Sequence, residues 1–413
     1  MGATITSPEK ETMQIGLGKQ TRRAYGFDEI ALVPTGNTLD VELCDTSWQL
    51  GPFKFDVPII ASAMDSVVSP ENAGIIVNEG ALAVLNLQGI YTRYEDYSKV
   101  LREMALATKT EFVELMQKIY QEPIKPELVK KVVKQIKASY KDQAKPVAIS
   151  LAPYLANEYL PILEEAGVDI IVIQSTVVGL EHRSAPTNQS KDVLDTKPTQ
   201  LKLEEFCKRS SIPVVVGNCV DYKIALKLMD TGIAGLLIGI GPGAACTSRG
   251  VLGIGVPMAT AIADCRQARD DHYKETGNYV PIIADGGMGI GGDICKAIAC
   301  GADSVMIGSP FARTVEAPAP GFHWGMATPS PVLPRGTRIK VGTHCTIHEL
   351  IHGPARRDDG SQNLLGALKV SMATLGASTI KEMQDAEVII APSILTEGKV
   401  FQTAQEIGMG SSR

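Results

Sequence analysis

Long apolar runs are missing from this chain. The strongest, "DIIVI" (169–173) and "PVVVG" (213–217), are a handful of residues long, where a membrane helix needs about 20. Aromatic residues are scarce, at 5%, which argues against the stacking platforms that bind single-stranded nucleic acid. The net charge is -6, with signs interspersed and no basic stripe, so non-specific binding to nucleic acid is not expected. The eight cysteines, Cys44, Cys207, Cys219, Cys246, Cys265, Cys295, Cys300 and Cys345, include no Cys-x-x-Cys pair. The opening "MGATITSPEKETM" is polar and unlike a secretory signal. Together these features predict a cytoplasmic protein with reduced, mostly buried thiols. A Gly-x-Gly-x-x-Gly turn early in the chain is also absent. That turn is the mark of a doubly wound dinucleotide-binding sheet, the main structural alternative here.

What is present is a series of eight short apolar, β-branched runs. They span 57–64, 81–86, 146–152, 169–175, 213–219, 235–239, 281–287 and 304–310. Strands apolar on both faces belong to a parallel sheet covered on both sides. Segments with helical spacing lie between them, most clearly 157–167, 222–232, 256–270 and 292–301. Eight such units predict one α/β domain, a (β/α)8 TIM barrel, over all 413 residues. The connection 87–145 is rich in Lys and Glu and reads as extra surface helices. The stretch 315–362 is dense in Pro and Gly, then polar, and reads as a long flap.

In such barrels the loops after the strands build the active site. The strand ends here carry Ser62, Met64, Gln174, Ser175, Thr176, Asn218, Asp285, Gly287, Gly308 and Ser309. Glycines after strands seven and eight let backbone N–H groups approach a phosphate, although each could simply make a turn. Asp285 suits a ribose diol, or else caps the next helix. After strand six comes "GIGPGAACTSRG" (239–250), a glycine-rich bend whose reactive side chain is Cys246. A lone cysteine is more often a small buried hydrophobe. On a strand-end loop among backbone donors, it reads as a nucleophile.

"GIGPGAACTSR", "PIIADGG", "SVMIGS" and "YGFDEIALVP…ASAMDSV" together resemble the IMP dehydrogenase/GMP reductase family, over about residues 25–325. The resemblance implies a barrel enzyme in which Cys246 attacks C2 of a purine nucleotide, with Ser248 in place of the family's threonine beside it. It implies nucleotide contacts from Ser62, Met64, Gly243, Ala244, Asp285, Gly287, Gly308 and Ser309. His323, Met326 and Ala327 match the segment that touches the base. Gln174, Ser175, Thr176 and Asn218 fall where the dinucleotide would lie. Carbonyls of Gly241, Gly243 and Cys246 would hold a monovalent cation such as potassium, and the family commonly forms homotetramers.

Both family reactions fit this constellation. A dehydrogenase oxidises IMP with NAD, and a reductase converts GMP to IMP and ammonia with NADPH. No Arg-Tyr pair lies between Met326 and Arg338, Gln174 replaces the dehydrogenases' aspartate, and no regulatory CBS pair is inserted after strand two. These departures favour NADPH-dependent GMP reductase, with IMP dehydrogenase as the alternative. A barrel that kept the nucleotide and lost the chemistry is the non-enzymatic alternative. His344, Cys345, His348 and His352 in "THCTIHELIHG" could ligate a metal, but read equally as a capped short helix with surface histidines.

Overall fold

The computed structural model describes residues 12–184, 200–325, 337–393 and 396–410. Eight parallel strands close into a barrel in sequence order. They are β1 (Ile59–Ala61), β2 (Leu82–Asn86), β3 (Ala148–Leu151), β4 (Ile170–Gln174), β5 (Val214–Cys219), β6 (Gly235–Ile238), β7 (Ile282–Asp285) and β8 (Ser304–Ile307). Closure is made by β8 against β1, with Met306 opposite Ile60. Each of the eight apolar runs contains one of these strands.

The strands are apolar on both faces because each face meets a different layer. One face turns inward, where Ile60, Leu82, Val84, Ala148, Ile170, Val172, Val215, Leu237, Ile283 and Met306 fill the barrel. A hairpin of Trp48–Leu50 and Phe53–Phe55 plugs the end where the strands begin. Gly235 starts β6 where a Cβ would stand 2.8 Å from Leu50 Cδ1, so the plug depends on that missing side chain. The outer faces pack on helices α1 (Ala73–Asn78), α5 (Ala156–Ala166), α6 (Leu203–Arg209), α7 (Tyr222–Met229), α9 (Met258–Thr276) and α10 (Gly291–Ala299).

The connection after β2 forms α2 (Tyr97–Leu106), α3 (Phe112–Ile119) and α4 (Pro126–Ser139). On α4, Leu128, Val129, Val132, Val133 and Ile136 are buried, a one-faced spacing. The stretch 315–362, read from sequence as irregular, carries regular structure. Strands β9 (Gly321–Trp324) and β10 (Arg338–Gly342) pair antiparallel, and a short helix, α12 (Ile347–Ile351), follows. Helix α13 (Leu364–Thr374) then packs on α10.

Candidate active site

Three strand ends meet at one carboxylate. Asp285, the last residue of β7, accepts from Gln174 Nε2 at 2.8 Å and from Asn218 Nδ2 at 2.7 Å. These donors come from the ends of β4 and β5. Gln174 is held in turn by Ser150 of β3, whose Oγ lies 3.4 Å from Gln174 Oε1. Burial pushes the Asp285 carboxyl up to about 6, and the two amide donors oppose that rise. Ser175 and Thr176 continue from β4 onto an accessible rim, and Ser175 N donates to Gly217 O at 2.9 Å. The four residues expected to face the dinucleotide thus share one edge. Within it, the Gln174 and Asn218 side chains are engaged with Asp285.

The cysteine loop is folded against the backbone at Asp285. Gly239 has φ +135°, and a Cβ there would stand 2.7 Å from Asp285 O. A Cβ on Gly287 would stand 2.8 Å from Pro242 Cβ. Only glycine allows these two loops to approach so closely. Arg249 braces the loop, donating to Ile240 O at 3.1 Å and to Val256 O at 2.9 Å. Cys246 N donates to Gly243 O at 3.0 Å, which leaves that carbonyl a second lone pair for a cation.

Cys246 is not a core residue. It is exposed, with Sγ 3.4 Å from Ser248 Oγ, and Ser248 is buried in the first turn of α8 (Ser248–Leu252). The other cysteines differ. Cys44, Cys219, Cys265, Cys295, Cys300 and Cys345 are buried and Cys207 is half-buried. Burial pushes the thiols of Cys207 and Cys295 up to about 11 and that of Cys300 to about 12. Such thiols are poor nucleophiles near neutral pH.

The remaining expected residues gather beside β8. Ser62 N donates to Ile307 O at 3.0 Å, and Met64 N to Ser62 O at 2.7 Å. A Cβ on Gly308 would meet His323 Cε1 and Met64 Sδ, each at 3.1 Å. Gly308 and Ser309 stay partly exposed at the start of α11 (Ser309–Ala312), as do Gly243 and, more fully, Ala244 on the facing loop. Met326 and Ala327 lie outside the described residues. The chain approaches them across the cysteine loop, since a Cβ on Gly325 would stand 2.8 Å from Ala245 O.

Two further clusters stand beside the site, one around Asp65 of the "ASAMDSV" motif and one around Arg338. Asp65 is buried and accepts from Ile90 N at 2.9 Å and from Tyr120 Oη at 2.6 Å. Tyr120, just after α3, also accepts from Trp324 Nε1 at 3.3 Å. Arg338, on β10, donates to the carbonyls of Met104, Ala105 and Ala107. Its guanidinium lies over the rings of Phe112 and Phe322, 4.8 and 4.6 Å from their centroids. The helices after β2 thereby grip the β9–β10 ribbon. The histidines of α12 point elsewhere. His348 Nδ1 is 2.9 Å from Glu79 Oε2 and His352 Nε2 is 3.0 Å from Glu79 O, with Thr346 capping the helix. Among the described residues no group of three or more His, Cys, Asp or Glu is arranged to hold a metal ion, and no helix is long and apolar enough to cross a membrane.

An accessible thiol beside a hydroxyl, two glycine turns open to an anion and a carboxylate between them can together hold and attack a nucleotide. Comparison with known proteins gives the family of the chain. A family model described as the IMP dehydrogenase/GMP reductase domain matches residues 24–325. An uncharacterized oxidoreductase of Mycolicibacterium smegmatis is 37% identical over 381 residues, which cover 90% of this chain and 98% of that protein. An inosine-5′-monophosphate dehydrogenase of Borreliella burgdorferi is 28% identical over 398 residues, covering 89% and 93%. The crystal structure of an IMP dehydrogenase/GMP reductase-like protein from Corynebacterium glutamicum matches with a TM-score of 0.83 and 33% identity, over 92% of this chain and 97% of that one. The chain is an oxidoreductase-type (β/α)8 barrel that belongs to the IMP dehydrogenase/GMP reductase family.

Proposed function

We propose that this protein oxidises IMP to XMP with NAD, through a covalent bond between Cys246 and C2 of the purine. The observation that carries the reading is the exposed Cys246 thiol, 3.4 Å from Ser248 Oγ, on a loop packed against Gly287. Backbone N–H groups at Gly287, Gly308 and Ser309 receive the 5′-phosphate, and Asp285 accepts from the ribose hydroxyls. Ser62, Met64 and the Gly243–Ala244 turn complete the walls. In this reading C2 meets Cys246 Sγ.

The chemistry balances as follows. The Cys246 thiolate adds to C2, and the C2 hydrogen leaves with its electron pair. Nicotinamide supplies the hydride acceptor, on the rim of Gln174, Ser175, Thr176 and Asn218. Water then adds to C2 and the S–C2 bond breaks, returning the thiolate and leaving the water oxygen on the base. Ser248 Oγ, beside the sulfur, is placed to relay a proton in that step. A nucleotide sensor would have no use for an exposed nucleophile in this position.

Two observations move the balance from the reductase, which the sequence departures favour, toward the dehydrogenase. The missing insertion does not separate the reactions: the B. burgdorferi dehydrogenase matches over 93% of its length within 398 residues, so it is of similar size. The second is the charge inventory of the flap. Residues 325–338, "GMATPSPVLPRGTR", hold two ionisable side chains, Arg335 and Arg338. Arg338 is engaged with backbone carbonyls and two aromatic rings. A reductase must protonate departing ammonia, and this segment offers no carboxyl, imidazole or amine to do so. Arg335 remains, and an arginine base in the flap is what the resembling dehydrogenases use for hydrolysis.

GMP reduction with NADPH is the second reading, favoured by the lack of an Arg-Tyr pair and by Gln174. The test is to follow the nicotinamide absorbance band with IMP plus NAD and with GMP plus NADPH. Faster NADH formation from IMP supports the first reading, and faster NADPH loss with GMP replaces it with the second. On the family likeness, the working form is a cytoplasmic homotetramer with potassium at the cysteine loop.

A further inference from the structure

Cys219 ends β5 and Cys265 lies within α9, and both are buried, 3% and 0% exposed. Neither takes part in the nucleotide chemistry above. The two thiols meet each other, with Cys265 donating its S–H to Cys219 Sγ. Cys219 Sγ is also 3.6 Å from Asp221 O. The pair is chemically unequal. Donation from Cys265 favours the Cys219 thiolate and lowers that thiol against the effect of burial. The same hydrogen bond, together with burial, raises Cys265 well above the ordinary thiol range. One sulfur is therefore the better nucleophile, and the other waits beside it with its proton. An oxidisable cysteine and its resolving partner are arranged in this way.

The position of the pair links it to the site. Cys219 O accepts from Gly239 N, the start of the cysteine loop, at 3.1 Å. Asn218, the preceding residue, donates to Asp285 at 2.7 Å. On the other side, Met258 opens α9, and a Cβ on Gly239 would stand 2.9 Å from Met258 Sδ. Both elements that carry the thiols thus touch Gly239, and β5 also holds Asp285. Drawing the two sulfurs from a hydrogen-bonded contact into a covalent bond shifts the end of β5 against α9. That shift falls on Gly239 and Asn218.

We propose that Cys219 and Cys265 form a reversible disulfide that weakens nucleotide binding, with hydrogen peroxide as the oxidant. The Cys219 thiolate attacks one peroxide oxygen and the O–O bond breaks, leaving a sulfenic acid on Cys219 and hydroxide. The hydroxide takes up the proton that the Cys219 thiol released. The Cys265 sulfur then attacks the Cys219 sulfur, the S–OH bond breaks, and the departing hydroxide leaves as water with the Cys265 proton. The two sulfurs together give up two electrons, and the peroxide is reduced to water. A dithiol reductant reverses the step by thiol–disulfide exchange. Peroxide is small enough to reach thiols that are closed to a bulky labelling reagent. Transient, sensing disulfides of this kind are the sort found among otherwise reduced thiols. The disulfide stands without the nucleotide reading above, whereas its effect on binding rests on that reading.

The test uses the full chain carrying Cys246→Ser, so that the exposed thiol takes no part, and reads peptide mass and equilibrium binding of IMP and GMP. Treatment with hydrogen peroxide, then alkylation in denaturant, is expected to yield a cross-linked pair of peptides containing Cys219 and Cys265, lighter by two hydrogens than the separate thiols. Nucleotide affinity falls at least about fivefold, the low end of a typical coupling between sites, and returns after dithiothreitol. Cys265→Ala in the same background gives no cross-link and keeps its affinity through the peroxide treatment. Absence of the Cys219–Cys265 cross-link overturns the proposal. A cross-link that leaves affinity unchanged, or a loss of affinity that persists in Cys265→Ala, overturns it as well. Thermal unfolding shows whether Cys265→Ala folds; if it does not, Cys219→Ala takes its place, and recovery by dithiothreitol in the parent protein decides the matter if neither folds. Reduced protein that binds neither IMP nor GMP defeats the nucleotide reading and the effect on binding together, while the cross-link still decides whether the pair is oxidised.

Discussion

Gln174 Nε2 donates to Asp285 Oδ2 at 2.8 Å, which ties the end of β4 to the end of β7 across the mouth of the barrel. Asn218 makes the matching contact from β5 at 2.7 Å. A carboxylate that would otherwise be neutralised by burial is thus kept near the point of ionisation at neutral pH. Gln174 supports the carboxylate proposed to hold the ribose, and it does so from the end of β4.

The first consequence is a pH profile. The Asp285 carboxyl is raised to about 6. Its contribution to folding stability is therefore full below the unfolded value of about 3.9 and is lost as pH rises through about 6. Ribose binding needs the charged form, so kcat/KM for the nucleotide rises with pH across about 6. The substrate phosphate also titrates near 6, so the decisive comparison is Asp285→Asn. That variant keeps only the substrate's share of the pH dependence. Superimposable profiles for the two proteins would remove Asp285 from the account.

Gln174→Ala deletes one donor to the charged form. A hydrogen bond to a charged group is worth about 1.5–3 kcal/mol, and one pKa unit is about 1.4 kcal/mol. The break in the profile moves up by about one unit or more, with lower activity at pH 6 and partial recovery at pH 8. A uniform loss at both pH values would instead place Gln174 directly on substrate or dinucleotide.

Asp285→Ala is expected to weaken nucleotide binding at least tenfold, from the loss of hydrogen bonds worth about 1.5–3 kcal/mol. The 2′-deoxy nucleotide is penalised less in the variant than in the wild type, because its missing hydroxyl no longer has a partner to lose. An unchanged ratio of ribose to deoxyribose affinity would mean that Asp285 does not touch the diol.

Native thiol labelling separates Cys246 from its seven relatives. It is exposed and the others are buried or half-buried, so one thiol reacts well ahead of the rest, and IMP or GMP slows that reaction. Mapping of the fast label to any other cysteine, or no protection by either nucleotide, would count against the site as drawn.

Tyr120→Phe removes a hydroxyl that joins buried Asp65 to Trp324. Stability in urea should fall by about 1–3 kcal/mol, the cost of a buried polar group losing its partner. An unchanged unfolding midpoint would show that this cluster does not hold the ribbon in place.

The barrel was legible because its signal is local. Runs such as "PIIADGG" and "SVMIGSP" are β-branched, short and bounded by glycine, and each became a strand within a few residues of where it reads. The cysteine loop was legible from composition alone, since its glycines mark the close approach to Asp285 and Gly287. The convergence of Gln174, Asn218 and Asp285 was not, because those residues are 44 and 67 positions apart in sequence and meet only through barrel closure. The β9–β10 ribbon was hidden for a similar reason. Pro and Gly in 315–336 read as loop, whereas the pairing partners of Gly321–Trp324 lie beyond them at Arg338–Gly342. Arg338 is bound to carbonyls at the end of a helix that nothing in its own neighbourhood announces.

A covalent bond from Cys246 to the nucleotide can be detected by mass. Wild-type protein turning over IMP with NAD, or GMP with NADPH, is quenched in acid and weighed intact. The account predicts a fraction of chains heavier by one purine nucleotide, with the added mass on the peptide that contains Cys246. Cys246→Ala is predicted to carry no adduct and to turn over nothing, while binding IMP within about tenfold of wild type, roughly 1.4 kcal/mol. Turnover by Cys246→Ala at a rate near that of the wild type would contradict it.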